Sequence, residues 1–281
     1  IFMMRETRGS AIGSLVLCAA LWSTAGILIK LVQWDAFAIA GGRSLFGFVT
    51  MLILLKRPKF TFSANQILAA FSYSATMILF VTANKLTTSA NAVLLQYVEP
   101  VYIILPGLWL LPDEKVTRFD WFAVAAVLGG MVLFFFDDLA PGSALGNALA
   151  IASGVTFAMT AVFMRRQQNE RPADSFMLAH LITFAVSLPF MIRSGPPDGA
   201  GLLGLALLGV FQMGIPSILY SRGICGVSAV SCSLITMIEP VMNPVWVALF
   251  WGELPGTRAV AGGAIILGAI AARTVLKARR I

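Results

Sequence analysis

Ten apolar runs divide the chain: residues 10–30, 36–55, 65–84, 89–111, 119–136, 143–164, 174–192, 200–221, 228–250 and 257–276. Each approaches the roughly 20 residues that an α-helix needs to cross a hydrocarbon core of about 30 Å. None alternates apolar and polar positions as a membrane barrel strand does, so helices are the expected element. The connections are short and leave no room for a soluble domain. The pattern predicts an all-α polytopic membrane protein with ten transmembrane helices. The first run begins after Arg8 with no small-residue cleavage site ahead of polar sequence, which predicts a retained helix.

Composition agrees. Hydrophobic residues make up 58% of the chain and charged ones 12%, against roughly 25% charged in soluble domains. The net charge of +7 forms no basic patch with interleaved aromatics, so no nucleic-acid partner is expected. Basic residues stand singly at the ends of apolar runs, as at membrane edges. With the N-terminus inside, fifteen Lys and Arg residues fall at inner ends and four (Lys30, Lys85, Arg193 and Arg258) at outer ends. That bias predicts two cytoplasmic termini. Cys18, Cys225 and Cys232 have no paired spacing, and one histidine leaves no zinc constellation, so neither a disulfide framework nor a metal is expected. No glycine loop ends in Gly-Lys-Ser/Thr, so neither a nucleotide nor another cofactor is expected.

The sequence also repeats. LLQYVEPVYIILPGLWLLPDE followed by VAAVLGGMVLF corresponds to SLITMIEPVMNPVWVALFWGE followed by VAGGAIILGAIA. Glu99-Pro100 and Glu239-Pro240 are 140 residues apart; Glu114 and Glu253 are 139 apart, as are Gly129 and Gly268. A fixed period of this kind marks internal duplication. It divides the chain into residues 1–140 and 141–281. Five helices is an odd number, so the second copy enters the bilayer from the opposite side: two inverted five-helix repeats. Secondary transporters recurrently use such repeats, with the solute near the midplane.

A Glu-Pro in the fourth helix of each half, an acid-bearing loop and a Gly-rich last helix together resemble the EamA-type drug/metabolite transporters. LWSTAGILIK of the first helix is also similar to their opening segment. Within them the chain resembles the YddG-type amino-acid exporters. The resemblance implies a ten-helix carrier in the bacterial inner membrane, a monomer or homodimer among lipids. It exports a small solute such as an amino acid, aromatic ones included, or a drug. A solute channel and a membrane-embedded enzyme are the rival classes. A channel needs a continuous hydrated path, usually with rings of charge. An enzyme needs a reactive cluster that the sequence lacks.

Candidate site residues follow from polarity inside apolar runs. Glu99 falls about 16 Å along its run, and Glu239 at the matching depth. Each carboxyl could bind a substrate amine or carry a proton, or could bond the backbone groups freed by Pro100 and Pro240. Those prolines, with Pro106 and Pro244, could open their helices. Gln96 and Asn243 share helical faces with Glu99 and Glu239 by spacing, and could hold a zwitterion or tie neighbouring helices. Arg43, about 12 Å inside its helix, could receive a substrate carboxylate or pair permanently with Glu99. Trp22, Ser23 and Thr24 in one half, and Ser153, Thr156 and Thr160 in the other, could line a cavity. Tyr73, Tyr97, Gln212 and Tyr220 add hydrogen-bonding groups. Each is alternatively packing. His180 could relay protons or be a satisfied structural histidine. Gly129, Gly130, Gly262, Gly263 and Gly268 are expected at close helix contacts, between the last helices of the halves or with a dimer partner. Asp137 and Asp138 read as a solvated loop end.

Overall fold

Hydroxyl and carboxyl side chains at the ends of polar connections start most of the helices. A computed structural model of the chain describes residues 7–24, 28, 32–136, 143–251 and 256–278, without the side chains at 89, 90, 243, 244, 247, 248, 250, 251, 277 and 278. Lys30, Asp137, Asp138 and Glu253 lie outside the described residues, as do the side chains of Asn243 and Pro244. The helices are α1 Arg8–Trp22, α2 Ala36–Leu55, α3 Ala64–Leu86, α4 Ser89–Gln96, α5 Glu99–Leu110, α6 Arg118–Phe134 and α7 Ala144–Arg166. They continue as α8 Pro172–Ser194, α9 Gly199–Leu207, α10 Ile215–Gly226, α11 Ala229–Thr236, α12 Ile238–Trp251 and α13 Thr257–Ala278. A π-helical segment, Leu208–Gly214, joins α9 to α10.

Thr7, Asp35, Ser63, Thr88, Thr117, Ser143, Asp198 and Ser228 each accept a hydrogen bond from a backbone N–H in the first turn of the following helix. Such caps satisfy donors that a helix leaves without an intrahelical partner. Seven helical stretches among the described residues are long and apolar enough to cross a membrane, α4–α5 and α9–α10 counting as one each. Arg8–Trp22 and Ala229–Met242 are apolar but shorter. Large apolar side chains point outward, Trp109 at 77% and Phe122 at 74% exposure among them. A water-soluble protein would hide these; in a bilayer they meet lipid tails.

Inside, α3 packs along α7, α2 along α8, α6 along α13, and α1 along α10. Glycine permits one of these contacts and a further one between α2 and the π segment. A Cβ at Gly209 would lie 2.1 Å from the Phe46 Cβ and 2.8 Å from the Arg43 carbonyl, so α2 and the π segment meet backbone to backbone. The α6–α13 contact is similar: Gly130 and Gly262 face each other's carbonyls, while Gly129 and Gly268 face open space. Of the expected glycines, Gly130 and Gly262 therefore close this helix pair, Gly263 faces Val241 of α12 most closely, and two face open space.

Candidate solute-binding site

Both Glu-Pro motifs lie at breaks in their helices. α4 ends at Gln96, Tyr97 and Val98 leave the regular helix, and Glu99 opens α5 with Pro100 beside it. In the other half Met237 separates α11 from α12, which carries Glu239 near its start. Proline at the first turn costs no hydrogen bond, because that N–H has no intrahelical partner anyway. The apolar run over 89–111 is thus two helices, opened just ahead of Pro100, one of the two prolines expected to break their helices, and the break alters the face shared by Gln96 and Glu99. Gln96 instead offers its backbone: a Cβ at Gly154 of α7 would lie 2.7 Å from the Gln96 carbonyl oxygen.

Each carboxyl is held by a hydroxyl from the other motif's run. The Tyr97 hydroxyl donates to Glu239 Oε2 at 2.7 Å. The Ser233 hydroxyl donates to Glu99 Oε2 at 2.8 Å. Glu99 is buried at 1% exposure, and its Oε1 has no hydrogen-bond partner among the described residues. A permanent Arg43–Glu99 pair, one of the two expected alternatives, is not formed. Arg43 Nη1 donates instead to Gln212 Oε1 at 3.2 Å, and Arg43 Nε has no hydrogen-bond partner among the described residues. Of the two acids, Glu239 is the one that lies near Arg43, together with Tyr73 and His180.

Beside these groups lies an aromatic cluster. Tyr73 meets Phe176 edge-on at 4.5 Å and His180 edge-on at 5.9 Å between ring centroids. Trp22 lies 5.6 Å from Tyr220 and 6.1 Å from Phe157, and Tyr220 lies 5.6 Å from Phe176. The Tyr73 hydroxyl reaches Met213 Sδ at 4.0 Å, on the residue after Gln212. Edge-to-face rings of this kind pack apolar bulk while directing polar edges. His180 Nε2 contacts Ser217 Oγ at 3.1 Å, and Nδ1 lacks a partner among the described residues. It belongs to this centre and is only half satisfied.

The hydroxyl row of α7 takes the packing alternative. Ser153 and Thr160 donate to carbonyls of their own helix, and Thr156 also meets Thr76 Oγ1 at 2.8 Å. Thr24 likewise donates to Leu21. Ser23 donates to Ala20 while accepting from Trp246 Nε1 at 2.7 Å. Phe157, Phe176, Ser217, Ser233 and Trp246 were not legible as site residues, because nothing in their spacing relates them to the Glu-Pro repeat. Among the described residues no group of three or more His, Cys, Asp and Glu side chains could hold a metal ion.

A pair of buried acids, one buried arginine and an aromatic wall thus converge where apolar helices break. The EamA-like transporter family model matches residues 9–136 and again residues 144–274. The chain belongs to the EamA-like transporter family. It is 27% identical over 263 residues to an uncharacterized transporter of Archaeoglobus fulgidus, covering 92% of this chain and 93% of that one. A crystal structure with 22% identity superposes with a TM-score of 0.82, over 98% of this chain and all of the other, which establishes a shared fold. This EamA-like protein is a multi-pass membrane protein of a family that carries small solutes.

Proposed function

We propose that the protein is a secondary carrier, an exporter or facilitator that moves small metabolites, foremost amino acids including aromatic ones, across the inner membrane by alternating access. The carrying observation is the crossed pair of bonds, Tyr97 to Glu239 and Ser233 to Glu99, which joins the two broken helices through ionisable groups inside apolar spans. Ionisable residues at such depth are costly and mark solute or ion pathways. An ammonium group would be received by Glu239 and a carboxylate by Arg43, with the ring of the solute against Tyr73 and its neighbours.

Two inverted five-helix repeats, residues 1–140 and 141–281, supply the moving parts, with ten crossings and both termini cytoplasmic. Two separate family matches support this reading, as do the paired helix breaks. The helix pairings support it too. Exchanging the halves turns the α3–α7 contact into the α10–α1 contact and leaves α2–α8 and α6–α13 unchanged. Rocking of one repeat against the other about a midplane site would then expose the solute to each side in turn.

Counterflow in liposomes loaded with unlabelled amino acids tests the reading. Saturable counterflow that weakens in Glu99→Gln and Glu239→Gln is expected. Flux far above carrier turnover would make the protein a channel instead, and unchanged transport in both variants would remove the carboxyls from the site.

A further inference from the structure

Arg43 is a desolvated cation with too few acceptors. It is 9% exposed, inside an apolar helix, and forms no ion pair with a carboxylate among the described residues. A guanidinium presents five N–H donors in a planar fork. Nη1 meets the neutral amide oxygen of Gln212, and the buried Nε meets no acceptor among the described residues. A buried charge left in this state is expensive unless a matching charge arrives.

The acceptor it does have comes from an unusual place. Gln212 belongs to the π-helical segment Leu208–Gly214, a geometry that recurs at functional sites. The contact that brings it there depends on glycine, since Gly47, Gly209 and Gly214 allow α2 and this segment to touch. Met213, the next residue, meets the Tyr73 hydroxyl at the edge of the aromatic cluster.

We infer that Gln212 is a place-holder in an oxyanion site: its amide oxygen occupies Arg43 Nη1 until the carboxylate of the solute displaces it and takes the fork end-on through Nη1 and Nη2. This deepens the carrier reading above and rests on it for passage of the solute across the membrane, though not for binding. A carboxylate accepts two parallel N–H bonds from the fork, whereas the amide oxygen accepts one. The solute is therefore required to carry a carboxylate, while its amine, received by Glu239, adds affinity without deciding whether the solute binds. Arg43 and Gln212 together set this specificity.

Three probes separate the chemical groups: L-phenylalanine, 3-phenylpropionate, which lacks the amine, and phenethylamine, which lacks the carboxylate. Binding to purified protein in nanodiscs is measured by calorimetry, and counterflow is measured alongside. Phenylalanine and phenylpropionate should bind and phenethylamine should not. Arg43→Gln should weaken carboxylate binding roughly 10- to 100-fold, the range for a lost hydrogen-bonded charge partner, and Arg43→Lys should restore part of it. Gln212→Glu, which fills the fork permanently, should abolish binding without lowering the melting temperature. Gln212→Ala should retain or tighten it.

Phenethylamine binding as tightly as phenylalanine, or loss of binding in Gln212→Ala, overturns the inference. Should Arg43→Gln fail to fold, the two Gln212 variants decide the matter by themselves. Carboxylate-selective binding without counterflow keeps the site and rejects the carrier. Counterflow of phenethylamine alone does the reverse.

Discussion

Tyr97 donates its phenolic hydrogen to Glu239 at 2.7 Å across 142 residues of sequence, which ties one broken helix to the other. The tyrosine stands in the break itself, two residues before Glu99, and is buried at 8% exposure. Removing the hydroxyl leaves a carboxyl in an apolar setting without its donor, a loss of about 1–3 kcal/mol. Tyr97→Phe and Glu239→Gln should each destabilise the protein in micelles, and the double variant should cost less than the sum of the two. Denaturant titration of the three variants measures the coupling. Simple additivity would mean that the bond contributes nothing to holding the helices together.

Close approach of α2 to the π segment makes Gly209 intolerant. A Cβ there would overlap Phe46, and overpacking of this kind costs about 1–3 kcal/mol. Gly209→Ala should therefore lower the melting temperature. Gly129→Ala and Gly268→Ala meet open space, and alanine is the better helix former by up to about 1 kcal/mol. Those two variants should be neutral or slightly more stable in the same melting assay.

Hydrophobic periodicity made the helices legible, and the 140-residue spacing singled out Glu99 and Glu239 before any contact was known. What the sequence could not disclose is the partner of each. Glu99 meets Ser233, Glu239 meets Tyr97, and Arg43 meets Gln212. Contacts between distant runs depend on packing angles that a linear pattern does not carry. Pro100 and Pro240 were legible as helix breakers, but that the helix opens at Tyr97 and Val98 and restarts at Glu99 was not, because proline at a helix start and proline in a kink look alike in one dimension. For the same reason the π segment, built of ordinary apolar residues around Gln212, gave no signal.

Asp120 and Arg273 form a buried ion pair between the start of α6 and the end of α13. Arg273 Nε donates to Asp120 Oδ1 at 2.8 Å, and Nη1 donates to Ser231 at 3.0 Å. Both residues are at most 5% exposed. Breaking a buried pair from one side strands the other charge, at a cost of about 3–5 kcal/mol. Asp120→Ala and Arg273→Met should each be severely destabilised, and the double variant should recover part of the loss. Melting temperatures in detergent report the difference.

Asp35 and Lys85, at the start of α2 and the end of α3, form an exposed pair at 2.8 Å. The hydrogen bond from Lys85, then that from the Phe37 N–H, holds the Asp35 carboxyl below its ordinary value of 3.8. A depressed carboxyl stabilises the fold above its unfolded value and loses that contribution as pH falls through the folded one. Both side chains are more than 40% exposed, so Lys85→Gln should change stability at neutral pH by less than about 1 kcal/mol. It should raise the Asp35 titration point, measurable by the pH dependence of the Asp35 carboxyl carbon shift in NMR.

Glu114 serves two helix ends at once. Its Oε1 accepts from Arg165, whose Nη1 in turn donates to the Ile224 and Cys225 carbonyls at the end of α10. Its Oε2 accepts from the Ala229 N–H at the start of α11 at 2.9 Å. A carboxylate at a helix N-terminus and a cation at a C-terminus both complement the helix dipole, each by about 0.3–1 kcal/mol. Glu114→Gln keeps an acceptor for Ala229 but loses the charge, so it should lose only part of the stability. Glu114→Ala removes both contacts and leaves Arg165 bound to the carbonyls alone, so it should lose about 2–4 kcal/mol by the summed cost of a cap and a charge-assisted bond. Denaturant midpoints in this order, wild type above glutamine above alanine, are the expected result. Equal midpoints for the two variants would show that the charge, and not the backbone cap, supplies the whole effect.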